Sequence, residues 1–269
     1  NEANQANHIK RDAPVMVVLG NPPYSGESNN KGKWIMSLME DYKREPNTDK
    51  PLNERNPKWI NDDYCKFIRL GQSFVDKNTE GVLAYINNHS FLDNPTFRGM
   101  RWSLMQSFDK IYIIDLHGNS KKKEVCPDGS KDENVFDIQQ GVSINIFVKN
   151  GKKPEGELAE VYHCDLYGLR EFKYNYLLEH SFTTTDFTRI EPSAPFYFFM
   201  KRDTANEEVY NRGFSVNDMF PVSTVGVVTA KDAVLIDTSK SLLLDKVADH
   251  YQIQPDKMLI ANIDYRPIW

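Results

Sequence analysis

Residues 21 to 24 read Asn-Pro-Pro-Tyr, and each type offers something that a planar amine can meet. Asn21 carries a neutral side-chain carbonyl oxygen, an acceptor for one N–H. Pro22 and Pro23 fix φ and remove two backbone donors, so the main-chain carbonyl of Pro22 is aimed without being tied into a ladder. Tyr24 adds a flat ring for a planar amide or base to stack on, worth about 1–3 kcal/mol per base. Together the two oxygens can take both hydrogens of an exocyclic amine. Such an amine is a poor nucleophile, because its lone pair is delocalised into the ring. Two acceptors favour a more tetrahedral nitrogen and stabilise the positive charge developing on it. Attack on a methyl sulfonium then asks only for in-line placement, with no metal and no histidine base. The same four letters also make an ordinary strand-ending turn, since Asn-Pro commonly opens turns.

The surroundings separate these readings. The run PVMVVLG (14–20) is short and valine-rich, the pattern of a strand buried on both faces of a parallel sheet. Ligands of open α/β sheets sit beyond the carboxyl ends of the strands, where a loop leaving Gly20 lies. A short helix is expected over 34–44. The stretch NDDYCKFIRLGQSFVDK (61–77) has helical apolar spacing behind an Asn/Asp start, so Asp62 and Asp63 read as helix-capping residues rather than paired acid–base carboxylates, and Tyr64 and Phe67 as core. GVLAYINNHSFL (81–92) reads as a second strand, TFRGMRWSLMQSF (96–108) as a helix and KIYIIDLHG (110–118) as a third strand. This alternation marks a crossover-connected α/β sheet. GVSINIFVKNG (141–151) and AEVYHCDL (159–166) follow without an intervening helix, so the sheet is expected to end in an antiparallel hairpin.

Composition narrows the class. The 269 residues are 40% hydrophobic and 26% charged, enough for a sizeable core. The net charge of −5 puts any nucleic-acid contact on local patches, such as Lys121, Lys122 and Lys123, a run equally compatible with solvated loop. Cys65, Cys126 and Cys164 are odd in number and lack metal or disulfide spacing, which suits a reducing cytoplasm. His89 and His117 fall near strand ends but have no partner at ligand spacing, so they read as structural and no metal is expected. No apolar run is long enough to span a membrane. Residues 1–13 read as a polar linker, and the start without methionine and the stop on Trp269 suggest a fragment. Beyond 180 the texture changes: strand-like pieces FPVSTVGVVT and AVLIDT and a helix candidate SKSLLLDKVADHY suggest a second domain.

NPPY (21–24), DDYCKFIRLGQ (62–72), GVLAYINNHSFL (81–92) and VFDIQQGVSINIFVK (135–149) resemble, in that order, the catalytic-half motifs of adenine-N6 DNA methyltransferases of the gamma arrangement. LDNPTFRGMR, IYIIDLHGNSKKK, PDGSKDENVFDIQQGV, VSTVGVVTAKDA and IDYRPIW look closer still to the methyltransferase and target-recognition region of type ISP restriction-modification enzymes. The resemblance implies the C-terminal half of a Rossmann-like α/β sheet using S-adenosylmethionine (14–180), followed by the start of a mixed α+β target-recognition domain (181–269). It implies that Asn21 and Pro22 accept the amine hydrogens of an adenine flipped from double-stranded DNA, with Pro23 stiffening the platform. Tyr24 would then stack on the base, Phe136 would contact it from the other side, and Gly20 and Asn21 would face the cofactor. The family's glycine-rich cofactor loop precedes NPPY and has no counterpart in residues 1–20, and its nuclease and helicase segments have none here; the expected partners are therefore DNA and further parts of a larger chain, including the N-terminal methyltransferase half. The same tetrapeptide also suits methylation of a glutamine amide in a release factor, and a non-catalytic DNA-binding module is the remaining reading.

Overall fold

The valine-rich run forms strand β1 (Val17–Gly20), but at the edge of its sheet rather than buried on both faces. The computed structural model describes residues 2–12, 14–24, 26, 28–54, 57–202, 206, 209–210, 212–222 and 231–252. β1 pairs in parallel with β2 (Gly81–Asn88) alone. Its other edge carries no described strand, so Val17 is 57% and Leu19 70% exposed. The polar lead expected as a linker is helical over Glu2–Asp12, α1. Alanine, glutamate, glutamine and lysine favour that state, and Pro14 follows where it ends.

The sheet has six strands in the order β1-β2-β4-β3-β5-β6. β3 is Lys110–Asp115, β4 Val142–Lys149, β5 Glu160–Asp165 and β6 Thr188–Ile190. The expected hairpin of β4 with β5 is absent. β4 instead lies between β2 and β3, antiparallel to both, and β5 pairs in parallel with β3. Asp109 shows how. Its carboxylate accepts the backbone N–H groups of Asn150, Lys152 and Lys153 at 3.0, 3.0 and 2.6 Å, which fastens the 150–153 turn at the start of β3. Past that anchor the chain reaches the far edge of β3. β4 buries Ser143, Asn145 and Phe147 on one face and half-buries Ile144, Ile146 and Val148 on the other, which suits its apolar run to an interior position. Its one interior amide, Asn145, donates to Asn87 Oδ1 at 3.0 Å and to Ser143, so that amide is not left unpaired in the sheet.

Helix α2 (Lys33–Met39) is extended by a 3₁₀ turn, Glu40–Lys43, over the expected span. α3 (Asp63–Val75) buries Tyr64, Cys65, Ile68, Gly71, Gln72 and Val75, and Gly71 admits Leu83 of β2, whose Cδ1 would stand 2.5 Å from any added Cβ. Phe67 falls on the other flank and is 40% exposed, not core. A short helix α4 (Ser90–Asp93) and α5 (Arg98–Ser107) follow β2. After β5 comes α6 (Arg170–Glu179), anchored by a fully buried ion pair, Lys173 to Asp132 at 2.7 Å. Cys65, Cys126 and Cys164 are buried and free.

The chain divides into two units, Asn1–Asp203 and Thr204–Trp269. In the second, helices cover Val216–Met219, Asp232–Leu235 and Lys240–Tyr251. The last matches the expected helix. The piece AVLIDT, expected as a strand, opens in a helical turn: Asp232 supplies an acidic first position, and the backbone N–H groups of Val234 and Leu235 return to the Lys231 carbonyl. Most of FPVSTVGVVT and all of IDYRPIW lie outside the described residues. No helix among the described residues is long and apolar enough to cross a membrane.

Candidate functional site

At the carboxyl end of β1 the chain leaves the sheet with Asn21 exposed, Pro22 buried, Pro23 exposed and Tyr24 half-buried. The Tyr24 hydroxyl donates to Asn21 Oδ1 at 3.2 Å, and its ring packs against both apolar clusters of the unit. Burial raises its phenol above the usual range, so the ring acts as a neutral surface and not as a base. Gly20, opposite Tyr85 in the β1–β2 pairing, has its nearest neighbour in that ring: a Cβ would stand 3.1 Å from Tyr85 Cε1.

The segment beyond Tyr24 is fastened to α3. Asp62 occupies the cap position of that helix without a side-chain capping bond; its Oδ2 instead accepts the backbone N–H of Gly26 at 2.9 Å. The expected helix-capping role is thus replaced by a tie to the Tyr24 loop. Lys66, one turn on and 4% exposed, donates to Ser28 Oγ at 2.8 Å and to the Asn30 carbonyl. Burial holds its ammonium below the usual lysine range.

Tyr24 and Gly26 form one side of a cavity of about 290 Å³ completed by Trp59, Asp62, Tyr64, Asn88, Ser90, Asn94, Phe97, Asn119, Lys121, Lys122 and Gln140. Aromatic walls with a few placed amides make a slot suited to a flat, hydrogen-bonding ring. Asn21, Pro22 and Pro23 are not among its lining residues. Phe136 is not either: it lines a separate cavity with Gly118, Asn134 and Arg170, although Tyr24 and Phe136 pack against the same apolar cluster. Trp59, Asn88 and Ser90 carried no assigned role in the sequence. For the last two a signal existed, since INNHS places polar residues at the carboxyl end of a buried strand.

The floor beneath Lys121 and Lys122 is a buried charge network. His89 Nδ1 lies 3.0 Å from Asp115 Oδ1, and its Nε2 3.1 Å from the Asn119 amide nitrogen. Asn119 Oδ1 accepts the Lys122 backbone N–H at 3.1 Å, so its nitrogen is a donor and His89 accepts at Nε2. His117 sits between Glu124 (2.8 Å) and Asp165 (2.9 Å) with its ring stacked on Tyr167. Burial alone would lower its pKa, but the hydrogen bonds to Asp165 and Glu124 and the charge of Asp115 carry it up to about 10. Glu124 Oε2 also accepts the backbone N–H of Asn119 at 2.9 Å. His89, His117 and Glu124 therefore converge to within 4.8 Å, a grouping that sequence spacing did not foretell, and every ring nitrogen in it has a hydrogen-bonding partner. Lys122 itself pairs with Asp93 at 2.7 Å.

The fold is similar to part of type ISP restriction-modification enzymes. Residues 1–122 match the model of the Eco57I restriction-modification methylase family. A solved DrdV–DNA complex has a TM-score of 0.66 at 23% identity over 94% of this chain. A nuclease-deletion mutant of the type ISP restriction-modification enzyme LlaGI, in complex with a DNA substrate mimic, gives 0.65 at 24% identity over 91%. The ATP-dependent type ISP enzyme LlaBIII bound to DNA gives 0.61 at 22% identity over 77%. This chain spans 26%, 24% and 14% of those three chains. No curated protein matched. The resemblance read from the motifs is thus borne out by the family match and by the fold.

Proposed function

We propose that this chain is the catalytic half of a DNA adenine-N6 methyltransferase within a larger restriction-modification enzyme. The observation that supports it most is the Asn21–Tyr24 platform at the carboxyl end of β1, beside an aromatic, amide-lined cavity that shares Tyr24. In this reading the Tyr24 hydroxyl gives up Asn21 Oδ1 to an incoming amine, whose second hydrogen goes to the Pro22 carbonyl. The ring of Tyr24 then stacks on the base, with Phe136 closing from the side of the shared apolar cluster. The two acceptors stabilise the charge that grows on the nitrogen as it reacts.

S-adenosylmethionine would supply the electrophilic methyl group. The residues present suit the methyl-bearing end of that cofactor: Gly20 leaves the strand end bare above Tyr85, and Asn21 stands exposed beside it. In this reading the rest of the cofactor site is supplied by other residues of a longer protein, in keeping with the small share of each solved relative that this chain spans. The exposed edge of β1 suits pairing with such a segment. Lys121 and Lys122 at the cavity rim suit contact with phosphates of double-stranded DNA, which position a duplex without reading its sequence. We assign residues 14–180 to the catalytic half and place the opening of the target-recognition region from 181 onward.

The test is methyl transfer by the full-length protein from labelled S-adenosylmethionine to duplex DNA, set against a release-factor protein presenting a glutamine. Label in DNA that disappears with Asn21→Ala is the expected outcome. Label only in the protein would replace this reading with amide methylation, and DNA binding with no transfer to either would favour a non-catalytic module.

A further inference from the structure

Three asparagines line the cavity beside Tyr24, and their hydrogen bonds leave them in different states. Asn119 is spent, its oxygen on the Lys122 backbone and its nitrogen on His89. Asn88 is different. Its Oδ1 accepts from the Ser90 backbone N–H at 2.9 Å and from the Ser90 hydroxyl at 2.7 Å. A backbone N–H can only donate, so it fixes which end of the amide is oxygen, and Nδ2 is left as a donor with no partner among the described residues. Asn94 repeats the arrangement: Oδ1 accepts the Thr96 N–H at 2.9 Å and Nδ2 is unpaired.

Both side chains are also held firmly. Asn88 is only 8% exposed, ends β2 in register with Val142, and has its carbonyl capped by Asn87 Nδ2 at 2.9 Å. The Asn94 carbonyl accepts from the buried guanidinium of Arg101 at 2.9 Å. Two rigid amides, each with its oxygen anchored and its nitrogen free, line the same slot as Tyr24. Neither Nδ2 is a buried unsatisfied atom, so both donors are open to a ligand that enters the slot.

We propose that Asn88 and Asn94 are specificity residues that donate hydrogen bonds to ring nitrogens of the target base. This rests on the reading of the site as a base pocket. The platform at 21–22 supplies acceptors and so recognises an amine; it cannot recognise the lone pairs of the ring. Asn88 and Asn94 add the opposite polarity, so that a purine carrying both an amine and ring acceptors satisfies every group, whereas a ring lacking an acceptor leaves an amide unpaired. Discrimination of that kind is strong where the site itself is built to hydrogen-bond.

The test measures binding of the full-length protein to a duplex containing one unpaired adenine, or 1-deaza-, 3-deaza- or 7-deazaadenine at that position. Each analogue removes one ring acceptor and keeps the amine. The unmodified protein should prefer adenine over at least one analogue by about tenfold, the worth of one hydrogen bond. Asn88→Asp or Asn94→Asp keeps the oxygen that the Ser90 or Thr96 N–H needs but loses the donor, so that preference should vanish; the added charge weakens all four duplexes alike and cancels in the ratio. Asn88→Ser, which also leaves an oxygen for the local turn, serves if the aspartate variant does not fold. Equal binding of all four duplexes by the unmodified protein, or a preference that survives both aspartate variants, overturns the proposal. Methyl transfer is scored in parallel: a preference lost in the variants of a protein that transfers no methyl to DNA supports ring reading while removing the proposed function. Transfer that depends on Asn21 without any preference does the reverse.

Discussion

Tyr24 has two parts that substitution can separate. Its hydroxyl occupies the Asn21 oxygen in the free protein, whereas its ring is the proposed stacking surface. Tyr24→Phe should therefore keep kcat within about threefold, since only a bond that must be broken is lost. Tyr24→Ala should weaken base binding by about 1–3 kcal/mol, read as the rise in Kd for a duplex with an unpaired adenine. The proposed roles can be argued from the sequence because NPPY carries its chemistry locally, in four consecutive residues. Those of Asn88, Asn94 and Trp59 were not legible there. Their relevance comes from convergence with Tyr24 from well outside its own segment of the chain, and an asparagine at a strand end is equally at home in a turn. Asp62 was misread for a related reason: the helix start was visible in the sequence, but the Gly26 N–H that competes for its carboxylate was not.

Two elements hold the site, and each makes a separate prediction. α3 fastens the segment after Tyr24 through Asp62 and Lys66. Asp62→Ala should lower methyl transfer about tenfold with little change in melting temperature, and Asp62→Asn, which retains an acceptor for the Gly26 N–H, should restore most of it. The loop after β3 hangs on His117, whose pKa is raised to about 10 by Asp165, Glu124 and Asp115. A group raised in the folded state contributes fully below its unfolded pKa, near 6.5, and loses that contribution as pH rises through the folded value. The stability difference between the unmodified protein and His117→Gln should accordingly be constant below about pH 6 and shrink toward pH 10, as measured by denaturant unfolding. Element types followed from periodicity, since α3, α5, β2 and β3 lie where the apolar pattern puts them. Pairing did not. The insertion of β4 between β2 and β3 depends on Asp109 capturing a turn some forty residues away, and the exposure of β1 depends on which strands flank it, which its own seven letters do not encode.

At the scale of the whole molecule, the proposed function requires a chain with net charge −5 to meet DNA through a local positive patch, and Lys121 and Lys122 line the cavity rim where such contact is proposed. Lys121→Ala should weaken duplex binding irrespective of sequence and reduce the slope of log K against log salt by about 0.9, one phosphate contact. Substitution of Lys122 should do less, because Asp93 already competes for its ammonium. In the proposed function the six-stranded sheet, its bare β1 edge and the aromatic slot act together: the sheet would position the platform, the slot would hold the ring, and the edge would be available to a segment that completes the cofactor site. The central claim is that the platform at 21–24 delivers a methyl group to an adenine amine. Its most direct test is to methylate duplex DNA with the full-length protein and digest the product to nucleosides. The account predicts N6-methyldeoxyadenosine, reduced about a hundredfold or more by Asn21→Ala. N4-methyldeoxycytidine as the product, or N6-methyldeoxyadenosine formed at an unchanged rate by Asn21→Ala, would contradict it.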